Sequence, residues 1–178
     1  DQSGQLPGKT IVFAMTQDHA LRLQEVFSEM FPQHPDLARV ITYKSEHKGT
    51  LIKAFKRESL PRIAISVDML ETGIDVPEAV NLVFMRPVQS RIKLEQMIGR
   101  GTRPQAACRH PEWLPEGKKD SFLIVDFWEN DFKKSPEALN PSRSSSGSPA
   151  IRSILGRISA CFRCPAPSMN RFRSVGRR

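Results

Sequence analysis

The sequence predicts an α/β domain, with helices layered around a mainly parallel sheet, followed by a basic tail. Three observations predict it. Short apolar, β-rich runs alternate with segments of helical periodicity from Thr10 to Phe127. The runs are almost continuously apolar, as strands are when both faces of a parallel sheet are covered. After about Phe132 the composition changes: residues 135–178 hold ten Ser and five Pro. Such a mixture cannot bury enough apolar surface to offset chain entropy.

Taken in order, Thr10–Met15 is the first strand. Thr16 is placed to cap a helix that runs to about Phe31, with Ala20, Leu23, Phe27 and Met30 on one face and Pro32 and Pro35 as its stop. Arg39–Tyr43 is the second strand, and residues 48–57 form a helix with Leu51, Ile52 and Phe55 as its apolar stripe. Arg62–Val67 and Val80–Met85 are the third and fourth strands. Ser90 to about Gly99 is a helix with Ile92, Met97 and Ile98 apolar, and Ser121–Phe127 is the fifth strand. This alternation argues for a parallel sheet. Working residues in such sheets gather beyond the strand C-terminal ends. That rule points to Thr16–His19, Tyr43–His47, Asp68–Pro77 and Arg86–Ser90. In the tail, Ile151, Ile154, Leu155 and Ile158 have helical spacing, but helices this short rarely hold alone. The expected domains are 1–132 and a tail of low order, 133–178.

The net charge of +8 belongs to the tail. Residues 1–132 hold 17 Lys+Arg against 18 Asp+Glu, whereas residues 133–178 hold 10 against one, Glu137. A nucleic-acid role for the domain must therefore rest on placed residues, not on bulk charge. No apolar run reaches the roughly 18 residues of a membrane span, and no signal peptide is visible. Three cysteines make no disulfide framework, and a reducing cytoplasm is expected. Cys161-x-x-Cys164 lacks a second ligand pair, so no metal ligands are assigned. The four histidines are scattered and take surface or packing roles, and Trp113 and Trp128 read as packing residues.

Chemistry concentrates in two segments. Gln96-x-x-Gly99-Arg100-x-x-Arg103 sets two arginines three apart at a helix end, with Gly99 and Gly101 loosening the backbone. A guanidinium is a permanently charged planar fork suited to phosphate, and an arginine from a neighbouring domain can stabilise a phosphoryl-transfer transition state. One arginine alone would equally suit a helix dipole. Ser66–Pro77 follows a buried strand and contains Thr72-Gly73-Ile-Asp75. Asp75, an acceptor only, suits a ribose hydroxyl or the orientation of an arginine. Ser66 and Thr72 are donors suited to a nucleic-acid phosphate. Gly8-Lys9-Thr10 imitates the end of a phosphate-binding loop, but it lacks the upstream glycine and is followed by a strand. Asp126 ends a strand without an acidic companion.

Residues 9–132 resemble the C-terminal RecA-like domain of superfamily 2 helicases. Thr10–Ala20 resembles motif IV, Ser66–Pro77 motif V and Gln96–Arg103 motif VI. The wording of residues 65–77, 84–91 and 96–103, with Ile124–Asn130, resembles the motor subunits of type I and type III restriction endonucleases. The resemblance implies a three-layer RecA-like fold. It implies ATP with Mg2+, both held mainly by a first RecA-like domain that carries the phosphate-binding loop. It implies Arg100 and Arg103 as catalytic residues reaching that ATP, with Gln96, Gly73, Asp75 and Gly99 at the nucleotide. Ser66 and Thr72 would touch nucleic acid, expected as double-stranded DNA, and other restriction-system subunits would be partners. This chain alone is expected to lack ATPase activity. A non-enzymatic binding module on the same scaffold, using the basic tail, stays open at this point.

Overall fold

The computed structural model describes residues 1–2, 4–45, 47–67, 75–128 and 130, and the backbone of 150–153 and 160–163. Five parallel strands form its centre: β1 (Lys9–Phe13), β2 (Ala38–Val40), β3 (Ile63–Ser66), β4 (Ala79–Phe84) and β5 (Ser121–Asp126). Their order is β2-β3-β1-β4-β5. The chain moves outward from β1 to β2, returns to β3, and crosses β1 to reach β4. The helices are α1 (Gln17–Met30), α2 (Lys48–Arg57) and α3 (Arg91–Ile98). Each expected strand and helix is present. Three short 3-10 turns between Gln105 and Gly117 were not expected.

Strand alternation sorts the core into two faces. Ile11, Phe13, Ala64, Leu82, Phe84, Phe122 and Ile124 pack with Phe55 of α2 and with Leu94, Met97 and Ile98 of α3. Val12, Ala14, Ile63, Ile65 and Val40 pack on the opposite side with Ala20 of α1. The result is three layers, α1 over one face and α2 with α3 over the other. β1 and β3 are buried along their whole length, as the apolar runs predict. β5 buries only alternate residues, and Leu123 and Val125 stay half-buried. The reason is that α1 packs over β2 and β3, and no described helix covers the matching face of β5.

Helix entries follow local chemistry. The Thr16 hydroxyl accepts from the His19 N–H at 3.1 Å, the cap expected from sequence. Ser90 does the same for Lys93 at 3.4 Å. Beyond β5 two short strands continue the sheet antiparallel: β7 (Ala160–Arg163) beside β5 and β6 (Ala150–Ser153) beside β7. Ile151 thus lies in a strand, while Ile154, Leu155 and Ile158 lie outside the described residues. The edge of β5 that faces away from β4 offers the backbone groups on which β7 pairs.

At the foot of the sheet the phosphate-loop imitation has a different use. A Cβ on Gly8 would stand 2.4 Å from Val80 Cγ2, so only glycine lets the strands approach here. Lys9 is fully buried, and its Nζ donates to the carbonyls of Glu58 (2.7 Å), Ser59 (3.2 Å) and Pro61 (2.7 Å). It also lies 4.4 Å from the Trp113 ring centre and 4.9 Å from that of Phe55. The Thr10 hydroxyl donates to the Gly8 carbonyl at 2.8 Å and accepts from Asn81 Nδ2 at 3.0 Å. The Lys9 and Thr10 side chains are thus both engaged by protein groups.

Burial, reinforced by the nearby Arg62 cation, pulls the Lys9 pKa down from 10.5 to about 7. The unfolded chain therefore holds a proton that the native state lacks between about pH 7 and 10.5. Lys9 thus makes stability rise with pH across that window, and adds no slope below it, where both states are protonated. Lys9→Met should cost about 3 kcal/mol near neutral pH by orphaning buried carbonyls. It should also flatten the alkaline rise, as read by denaturant titration from pH 6 to 10.

Candidate functional site

The expected site residues do not all collect on one edge. The ladder runs past the strands at their C-terminal ends, where Ala14 N donates to Ser66 O (2.8 Å) and Met85 N to Phe13 O (3.0 Å). α3 then carries the chain back antiparallel to β4. Eight helical residues cover about 12 Å, so the arginine segment leaves the edge where α3 begins. Arg103 lies on the α2–α3 face, near the start of β5. The strand-end rule pointed to Asp68–Pro77 and not to the arginine segment, which was expected at a helix end, and residues 68–74 lie outside the described residues.

Leu94, Met97 and Ile98 bury one side of α3 and leave Gln96 exposed. Gly99 closes the helix without leaving helical geometry, at φ −54° and ψ −18°. The Arg100 and Gly101 N–H groups then make tight turns onto the Met97 and Ile98 carbonyls at 3.2 and 2.9 Å. Arg100 is partly buried and Arg103 exposed, both beyond the last helical residue. Helical spacing therefore does not set their relative direction. Gly101 is needed for a different reason from the expected looseness. A Cβ there would stand 2.5 Å from Phe122 Cδ2, and Phe122 is 2% exposed. The glycine lets the arginine turn lie directly on a buried ring of β5.

Arg103 Nε donates to Asp75 Oδ1 at 2.9 Å, joining the two segments that the sequence singled out. The footing of Asp75 is firm. Val76 and Glu78 are 1% and 2% exposed, and the Pro77 carbonyl accepts from Lys119 Nζ and Cys108 Sγ. Glu78 in turn accepts from the N–H groups of Arg109 (2.6 Å) and His110 (3.2 Å), drawing the following loop onto the start of β4.

Ser66 departs from its expected role in this conformation. It is 1% exposed at the end of β3, and its hydroxyl makes no hydrogen bond among the described residues. Thr72 and Gly73 lie outside the described residues. Asp126 is not a metal ligand in waiting. Its carboxylate accepts from the N–H groups of Trp128 (3.2 Å) and Asn130 (2.6 Å) and from Asn130 Nδ2 (2.7 Å). Among the described residues no group of three or more His, Cys, Asp or Glu could hold a metal.

Sequence reasoning missed Asn130. Its side-chain amide accepts from Val88 N–H at 2.6 Å and donates to the Arg86 carbonyl at 3.2 Å. One amide thus satisfies the donor and acceptor of residues 86 and 88, as another strand would. It ties the end of β5 to the loop that launches α3. The available signal was an Asp at a strand end with an Asn four residues on, a pattern that favours side-chain-to-backbone turns. Trp113 is buried and stacks on His110 at 3.8 Å, whereas Trp128 is 49% exposed and does not pack as expected.

A family model described as the helicase conserved C-terminal domain matches residues 3–105. The type I restriction enzyme EcoKI endonuclease subunit of Escherichia coli K12 is 40% identical over 127 residues, which are 66% of this chain and 10% of that subunit. The EcoAI endonuclease subunit of Escherichia coli is 31% identical over 101 residues, 53% of this chain and 12% of that subunit. The chain thus spans about a tenth of the length of these relatives. Among solved structures, Mss116p DEAD-box helicase domain 2 bound to an RNA duplex aligns with a TM-score of 0.45 at 22% identity, covering 52% of this chain and 36% of that one.

The two glycines should respond differently to one methyl group. Gly101→Ala is expected to destabilise by about 2 kcal/mol through overpacking against Phe122. Gly99→Ala, at a helical φ with its nearest neighbour 3.3 Å away, should stay within about 1 kcal/mol of the parent. Urea denaturation of both variants checks the contrast.

Proposed function

The chain belongs to the helicase conserved C-terminal domain family of superfamily 2, and from that premise we propose that it is the second motor domain of an ATP-dependent translocase. In this reading Arg100 and Arg103 act on ATP held by a first RecA-like domain. The single observation that carries it is the Asp75–Arg103 pair, because it brings the two motif segments together on an accessible surface. The likeness to type I restriction endonuclease subunits supports double-stranded DNA as the track and other restriction subunits as partners.

The residues present fit half of a nucleotide site. Arg103 is exposed, Arg100 is partly so, and Gln96 stands one turn earlier on the same segment. These are groups that donate to phosphate oxygens and hold their charge at any working pH. Lys9 is enclosed at the foot of the sheet, and Asp126 is engaged by its own turn. Cradling of the phosphates and Mg2+ therefore falls to the first domain. ATP supplies a γ-phosphoryl group whose transfer develops negative charge that arginine stabilises. Gly99 and Gly101 let the arginine turn lie close to the sheet. In this reading Asp75 and Gly73 are assigned to the nucleotide and Thr72 to the nucleic acid, while the buried Ser66 ends the strand that leads into their segment. No described helix is long and apolar enough to cross a membrane, and a cytoplasmic setting suits a DNA motor.

In the complete motor, Arg100→Ala and Arg103→Ala should each lower ATP turnover by about 10³-fold, the scale of arginine-finger losses. Circular dichroism should be unchanged. Near-parental turnover in both variants would remove the arginine assignment. The isolated 178-residue chain should release no phosphate from ATP above background in a coupled assay.

A further inference from the structure

Asp75 has two possible uses at a nucleotide site: holding a ribose hydroxyl or setting an arginine. We propose the second: Asp75 is a positioning residue that acts on ATP only through Arg103. This rests on the reading of Arg103 as a residue that reaches ATP.

The atoms of the pair carry the inference. The carboxylate engages Nε, the guanidinium nitrogen nearest the backbone, at 2.9 Å. That bond fixes the plane of the guanidinium and leaves Nη1 and Nη2 as donors. Among the described residues neither makes a hydrogen bond. A phosphate is gripped by such a fork. Asp75 thus holds the arginine by its stem and leaves its working end open.

Both stems are fixed. On one side, Val76 and Glu78 are buried beside Asp75. On the other, Gly101 lies on the Phe122 ring, and the Thr102 hydroxyl donates to the Gly99 carbonyl at 3.1 Å. Between these anchors the Asp75 and Arg103 side chains bridge, and they are 44% and 49% exposed. Solvent screens a pair at that exposure, so its contribution to stability is small. Its effect is on direction: a guanidinium freed from Asp75 samples many rotamers, and its productive orientation becomes rare.

The test is a double-mutant cycle in the complete motor, with Asp75→Ala, Arg103→Ala and the double variant assayed on ATP and on 3′-deoxyATP. Asp75→Ala should lower kcat roughly tenfold while KM for ATP stays within about twofold. Its preference for ATP over 3′-deoxyATP should match the parent. The double variant should be no slower than Arg103→Ala, because Asp75 has nothing left to position. Asp75→Asn, which keeps an acceptor oxygen, should retain more activity than Asp75→Ala. A raised KM with lost discrimination against 3′-deoxyATP would overturn the proposal in favour of ribose binding. Additive losses in the double variant would overturn it while leaving the arginine reading intact. Parental turnover in Arg103→Ala would bring down both.

Discussion

The position of β1 between two parallel neighbours is the constraint on which everything else rests. Val12 stands level with Ile65 of β3 and Val83 of β4, so both backbone edges of β1 are consumed. A strand with no free edge and no free face must be apolar wherever its side chains lack polar partners, as Ile11, Val12 and Phe13 are, while Lys9 and Thr10 find hydrogen bonds at its foot. Parallel pairing then forces each connection to return across a face of the sheet, which is why helices intervene. The same requirement creates two separate surfaces. One is the edge where strands end and loops begin. The other is the helical face to which α3 returns the chain, where Arg103 meets Asp75.

The foot of β1 shows how a motif-like string is decided by its surroundings. Gly-Lys-Thr suits phosphate only when backbone N–H groups of a loop and a helix surround it. Here the lysine is wrapped by the segment leading into β3, and its three N–H groups match three carbonyls. Arg62 lies next to the same indole, at 5.5 Å from the Trp113 ring centre. Burial holds both cations below their ordinary pKa values, and the Arg62 charge lowers that of Lys9 further. The arrangement serves packing rather than catalysis.

Much of the fold was legible because its signals are local. Strand runs, helical stripes, the Thr16 cap and the proline stop after α1 need only neighbouring residues to declare themselves. Details set by partners distant in sequence were not legible. Nothing near Gly101 announces Phe122, and nothing near Asn130 announces residues 86–88. The half-covered face of β5 depends on how far α1 reaches. The arginines were legible as chemistry and as a helix end, but not their contacts, because loop rules for parallel sheets say nothing of where a short helix delivers its last turn. The Asp75–Arg103 contact was one of two options that sequence left open.

The contact between Gly101 and Phe122 carries a consequence for the order of assembly. Central pairings such as Thr10 with Ile63 and Ile11 with Leu82 span long stretches of chain, so the sheet closes slowly relative to a helical protein. During synthesis the ribosome releases the arginine turn before the ring on which it will rest. The turn therefore matures only when the last parallel strand docks. An incompletely made chain thus carries both arginines without the ring that seats their turn.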